Sequence, residues 1–167
     1  MQAPIFGMQK AMKIIVAAVG RLRSGPEMEL ARDYVARAEA GGRHMGISPV
    51  EIVEVEAKAP SEPRTEAVAL WKATPDKGRT ILLDEKGDNW SSRQLAEAIG
   101  RWRDDGVPAL TFWIGGADGV AQTLRDQADQ KLAFGRQTWP HRLVRAMICE
   151  QIYRAVMILS ANPYHRD

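Results

Sequence analysis

The sequence predicts an α/β fold: a mostly parallel sheet with helices on both faces. Three observations carry this expectation. Short runs rich in branched apolar residues alternate along the chain with stretches of helical spacing. The runs at Lys13–Gly20, Arg79–Asp84 and Ala109–Ile114 are apolar almost throughout, as strands covered on both faces must be. Gly and Pro punctuate the joins between them.

Lys13–Gly20 (KIIVAAVG) is predicted as the first strand. Pro26, at a tolerated first-turn position, opens a helix to about Ala40 that the Gly41–Gly42 pair is expected to stop. In Pro49–Ala57, Val50, Ile52, Val53 and Val55 interleave with Glu51, Glu54 and Glu56, a second strand with a wetter face. Ser61 to about Ala73 reads as a helix ended by Pro75. Arg79–Asp84 is a third strand. Ser91-x-x-Gln94 signals a capping box for a helix to about Asp105, on which Leu95, Ile99 and Trp102 share one face. Ala109–Ile114 is a fourth strand and runs into Gly115-Gly116-Ala117-Asp118-Gly119. A helix to about Gln130 and a weak fifth strand over Lys131–Trp139 are expected next. After Pro140 a last helix covers roughly His141–Leu159. On that helix Val144, Ile148, Ile152, Ala155, Val156 and Leu159 share one arc, while Leu143, Met147 and Ile158 lie opposite. A helix apolar on two sides is either deep in one core or shared with a partner subunit.

The 167 residues suit a single domain, expected over 12–167, with residues 1–11 as an N-terminal extension expected to be disordered. The lone cysteine, Cys149, excludes an internal disulfide framework and a multi-cysteine zinc site, and a reducing cytoplasm is the expected compartment. No signal peptide and no membrane span is read, because Glu150, Gln151 and Arg154 interrupt the longest apolar stretch. The net charge of +2 neither requires nor excludes a nucleic-acid partner.

In an open α/β sheet ligands bind beyond the carboxyl ends of the strands. Three segments qualify: the one after Asp84, the glycine turn after Ile114, and Phe134–Trp139. The turn is neither a GxGxxG fingerprint nor a P-loop, and as a motif it is equally an ordinary strand-to-helix turn. The tail Asn162-Pro163-Tyr164-His165-Arg166 is less ordinary, since it gathers groups that stack on a base, move a proton and hold a phosphate. Glu150 and Arg154 are spaced as an i,i+4 ion pair. Arg142 and Arg145 are candidate phosphate contacts, though solvated arginines are commoner, and His141 reads as a helix-entrance residue. His44, His141 and His165 lack metal-ligand spacing, so no metal site is expected. Cys149 reads as packing.

Taken in order, KIIVAAVG, TILLD, FWIGGADG, TWPHRLVRAMICEQIYRA and a terminal NPYHRD resemble the bacterial pseudouridine N3-methyltransferases of large-subunit rRNA. These belong to the SPOUT, or α/β-knot, superfamily. The resemblance runs from about Met12 to Asp167, with Ala117 and Asp118 where relatives often have Pro and Glu. It implies a C-terminal trefoil knot, a rare feature that periodicity does not reveal. It further implies a homodimer, S-adenosyl-L-methionine (SAM) as cofactor, and 23S rRNA within the ribosome as substrate. Carried over by position, the implied cofactor contacts are Leu83, Gly115, Phe134, Gly135, Arg136, Gln137, Thr138 and Trp139. The expected catalytic residues are Tyr164 for stacking or base positioning, His165 for proton transfer and Arg166 for a phosphate or developing anion. The geometry expected is a cleft of three gathered turns with the extreme C-terminus of a chain, its own or a partner's, across its mouth. Competing readings are a knotted methyltransferase of tRNA or another rRNA position, and a non-catalytic ribosome-associated factor. A Rossmann-type reductase is disfavoured, because the glycine turn follows the fourth strand rather than the first.

Overall fold

The structure is a computed structural model and describes residues 10–166. Most of the expected N-terminal extension, residues 1–9, therefore lies outside the described residues. The sheet has five strands: β1 (Met12–Val19), β2 (Ile47–Val55), β3 (Arg79–Asp88), β4 (Ala109–Ile114) and β5 (Gln130–Leu132). Their order is β2-β1-β4-β3-β5 and every neighbouring pair is parallel. The helices are α1 (Pro26–Gly42), α2 (Pro63–Lys72), α3 (Ser92–Asp104), α4 (Gln122–Gln127) and α5 (His141–Leu159).

Alternation along the central strands sends side chains to two cores. Ile14, Val16 and Ala18 of β1 join Leu110, Phe112 and Ile114 of β4 beneath α1, α3 and α5. Their neighbours Ile15, Ala17 and Trp113 turn the other way, toward Leu70 of α2 and Leu124 of α4. All six residues of β4 are buried, the signature of a strand covered on both faces. Trp113 is fully buried, and its indole N–H donates to Thr74 Oγ1 at 2.8 Å. The capping box is present: Gln94 N–H donates to Ser91 Oγ at 3.1 Å and Ser91 N–H to Gln94 Oε1 at 2.8 Å.

The structure departs from the sequence reading at several places. Gly41 and Gly42 do not stop α1; they are its last residues. A Cβ on Gly42 would stand 2.5 Å from the Ile47 carbonyl oxygen, and one on Gly41 would stand 2.9 Å from Met157 Cε. They are close-approach positions against β2 and α5, and Gly46, at φ 72°, reverses the chain instead. The helix expected to run to Gln130 is the six-residue α4. Residues 115–119 form a tight turn with a Gly116–Gly119 bridge. At the other end Asp129 leaves the helix to exchange hydrogen bonds with Thr80, accepting Thr80 N–H at 2.8 Å and donating its own N–H to Thr80 Oγ1 at 3.1 Å. The fifth strand spans three residues, not Lys131–Trp139. Residues 134–139 form a loop, closed where Trp139 Nε1–H donates to the Phe134 carbonyl at 2.8 Å.

β3 is longer than expected, and its extension has a specific job. Leu132 is paired with both Leu83 and Asp88. Ala133 N–H donates to the Asp88 carbonyl at 3.0 Å. The segment 84–87 therefore arches over the chain at Leu132. A Cβ on Gly87 would fall 2.6 Å from the Leu132 backbone nitrogen, so only glycine allows the crossing.

Candidate active site

The carboxyl ends of β3, β4 and β5 open into one cleft of about 690 Å³. Its apolar wall includes Leu83, Ile114, Val120, Leu132, Phe134 and Val144. Of the cofactor contacts carried over from the resemblance, Leu83, Gly115, Phe134, Gln137, Thr138 and Trp139 line it. Gly135 and Arg136 do not: Gly135 faces a neighbouring hollow, at φ 84°, with its N–H donating to Asn89 Oδ1 at 3.0 Å. The rim is tied across the cleft, since Thr138 Oγ1 donates to Glu85 Oε2 at 2.8 Å.

Two carboxylates that the sequence reading passed over shape the site. Glu66 of α2 is buried beneath the glycine turn, where its Oε2 accepts the Gly116 N–H at 3.1 Å and its Oε1 accepts Ser61 Oγ at 3.1 Å. Its spacing four residues before the buried Leu70 was the available signal, an acid on the inner face of α2. Asp84 lines the cleft, and Arg125 Nε donates to it at 2.5 Å. Burial opposes ionisation of Asp84, but the Arg125 hydrogen bond and the Lys86 N–H outweigh it and hold the carboxyl below its usual range. A strand ending in Asp was legible; its Arg partner, 41 positions away, was not.

His141 begins α5 and also lines the cleft, so the helix-entrance reading covers only part of its place. Burial, with Arg145 and Arg142 nearby, lowers its pKa. Arg145 is no surface phosphate contact. It is 1% exposed and donates to Glu54 Oε1 at 3.2 Å and to the carbonyls of Val19 and Gly20 at 3.3 and 3.0 Å. It thus ties α5 to the carboxyl end of β1. Arg142 is exposed. Cys149 is fully buried, and burial pushes its thiol up to about 12. Among the described residues no group of His, Cys, Asp and Glu side chains is placed to hold a metal ion. No described helix is long and apolar enough to cross a membrane.

The tail lies apart from the cleft of its own chain. Tyr164, His165 and Arg166 do not lie across the mouth of the cleft of their own chain and do not line it. The tail folds back along α5 instead. Tyr164 OH donates to Glu150 Oε1 at 3.2 Å, and its ring meets Tyr153 edge-on at 4.7 Å. Arg154 pairs with Glu150 through Nε at 3.0 Å, lies over the Tyr164 ring at 4.9 Å, and reaches His165 Nδ1 at 3.3 Å. Burial, then the Glu150 charge and the Tyr34 side chain, push the Tyr164 phenol up to about 12. The i,i+4 pair expected from the sequence is therefore present and anchors the tail.

The family model described as "Predicted SPOUT methyltransferase" matches residues 12–165. A relative from Phenylobacterium zucineum, named ribosomal RNA large subunit methyltransferase H, is 53% identical over 156 residues, which cover 93% of this chain and 100% of the relative. Proteins of the same name from Paracoccus denitrificans, 48% identical over 156 residues, and Afipia carboxidovorans, 48% identical over 159 residues, share 93% of this chain and 100% and 99% of their own lengths. With the glycine turn, the Phe134–Trp139 loop and the C-terminal motif all inside the matched span or at its edge, the chain belongs to the SPOUT methyltransferase family.

Proposed function

We propose that this protein is a SAM-dependent methyltransferase of 23S rRNA that methylates N3 of a pseudouridine on the assembled ribosome, in the cytoplasm. The observation that carries the reading is the convergence of three strand-end loops into one cleft, in a chain of this family. The cleft fits the cofactor: its volume of about 690 Å³ suits a nucleoside-sized ligand, with largely apolar walls and the Gly115–Gly116 turn along one side. Leu83, Gly115, Phe134, Gln137, Thr138 and Trp139 would hold it. Bound there, SAM supplies an electrophilic methyl group. The protein's part is to orient the RNA base in line with that methyl and to manage the proton that N3 loses. The reading includes the C-terminal trefoil knot that the family resemblance implies.

The reading also includes a homodimer. Leu143, Met147 and Ile158 are only half-buried within one chain, and the tail lies on α5 beyond its own cleft. A partner packed two-fold along α5 would bury that strip and bring each tail toward the other chain's cleft. Mixing a cleft-disabled Gly116→Ala chain with a chain truncated after Pro163 then restores activity that neither parent has.

The direct test is calorimetry with SAM, followed by methylation of ribosomes lacking the modification and mass-spectrometric mapping of the nucleotide. SAM binding with a new N3-methylpseudouridine supports the reading. A methyl group on tRNA or another rRNA position replaces it with the neighbouring activity, and no SAM binding leaves a non-catalytic factor.

A further inference from the structure

The tail histidine sits against a group that decides which of its ring nitrogens carries a proton. Arg154 Nη1 lies 3.3 Å from His165 Nδ1. A guanidinium has donors only, so Nδ1 must accept, and the ring proton of a neutral imidazole then resides on Nε2. A proton on Nδ1 would set donor against donor. Arg154 is in turn held in place: both its Nε and a terminal nitrogen bind Glu150 Oε1, and its plane lies over the Tyr164 ring at 4.9 Å. Tyr164 OH donates to the same oxygen at 3.2 Å. Glu150 fixes Arg154, and Arg154 fixes the histidine.

We infer that Arg154 is a positioning residue that holds His165 as an Nε2–H donor, so that His165 serves methyl transfer by donating a hydrogen bond to a carbonyl oxygen beside the reacting nitrogen rather than by removing the nitrogen's proton. The role in transfer rests on the proposed function; the tautomer does not. The chemistry suits an imide. N3 of a pseudouridine lies between two carbonyls, and as its proton leaves, negative charge spreads onto their oxygens. A preorganised donor at one oxygen stabilises that charge where it develops. The ring nitrogen gains the methyl carbon, the carbon–sulfur electron pair stays on sulfur, and the ring proton passes to water. This replaces the proton-transfer role that the tail composition suggested for His165.

Two measurements test it. Histidine-selective ¹⁵N NMR reads the tautomer directly, with His165 identified among His44, His141 and His165 by the signal lost in His165→Ala. The native protein is expected to show protonated Nε2 and unprotonated Nδ1 at His165, and Arg154→Met is expected to give a mixture, while Tyr164→Phe, which keeps Arg154, leaves the native pattern. An Nδ1–H form in the native protein, or an unchanged tautomer in Arg154→Met, overturns the positioning role. On ribosomes, His165→Ala is expected to lose about 10²–10³-fold in rate, the usual effect of removing one such donor. His165→Gln, whose amide N–H₂ reaches the Nε2 position but cannot act as a base, is expected to recover at least about tenfold of that loss. A Gln variant as slow as the Ala variant overturns the donor role. If the native protein methylates no ribosome, the functional reading fails while the NMR result still decides the tautomer.

Discussion

The Glu66 carboxylate and the Gly116 backbone N–H meet at 3.1 Å beneath the glycine turn, so a buried acid on one helix sets the shape of the loop that closes the cleft. A Cβ on Gly116 would stand 2.5 Å from Glu66 Oε1. Gly116→Ala should therefore displace the turn and abolish SAM binding in calorimetry while the protein stays folded. Glu66→Ala leaves the Gly116 N–H and the Ser61 hydroxyl without their acceptor, and should cost about 1–3 kcal/mol in urea unfolding.

Arg125 should be needed for stability as well as for the cleft. Its removal in Arg125→Leu leaves the Asp84 carboxylate, whose side chain is 3% exposed, without its counter-charge. A cost of about 3 kcal/mol is expected, the lower end for a broken buried pair because Arg125 is partly solvated. The pH dependence follows from the sign of the shift. Asp84 has a lowered pKa when folded, so its contribution is present above the ordinary carboxylate value of 3.8 and fades as pH falls through the folded value. Acid unfolding of Arg125→Leu should begin at higher pH than that of the native protein.

His141 acts on the same acid side of the stability profile, at higher pH. Its pKa is lowered by burial and by Arg145 and Arg142, so the folded state favours the neutral ring. Between the folded value and the ordinary 6.5 the unfolded chain binds more protons, and stability falls as pH drops through that window. His141→Gln should flatten this part of the profile in thermal melts from neutral to mildly acidic pH.

Cys149 should be inert in the native protein. Its thiol is fully buried and pushed up to about 12, so an aromatic disulfide reagent should release no colour until denaturant is added. Rapid labelling of the native protein would contradict the packing of α5 described above.

Truncation after Pro163 should separate binding from chemistry. The tail does not line the cleft of its own chain, so SAM affinity should be unchanged by calorimetry. Methylation of ribosomes should fall by at least about 10²-fold, as expected for loss of groups acting on developing charge.

The central strands β1, β3 and β4 were legible because each carries a short buried run with its own punctuation. β4 and α5 carry the bounds that the sequence reading assigned, and the Ser91–Gln94 box forms as its spacing predicts. The cleft was legible as a location, since strand carboxyl ends are where parallel sheets leave room for ligands. The misreadings all involve residues whose role depends on a distant partner. Gly41 and Gly42 look like a helix stop but are contact points for Met157 and Ile47. Residues 128–132 look helical or extended until Asp129 finds Thr80. Arg145 looks solvated until α5 is laid against Glu54 and the end of β1.

What the amino-acid order determined by itself was local: period, caps, turns, and the family signature carried in the glycine turn and the terminal NPYHR. Burial pattern and backbone chemistry act over a few residues, so they can be read along the line of the chain. What the tertiary structure alone decided was which charged groups meet. Glu66 under Gly116 and Asp84 against Arg125 are pairings set by the stacking of helices on a sheet, and the folded-back tail sets His165 against Arg154. Coulomb and hydrogen-bond energies depend on distance in space, and no spacing in sequence encodes a separation of 41 or 50 residues closed to about 3 Å.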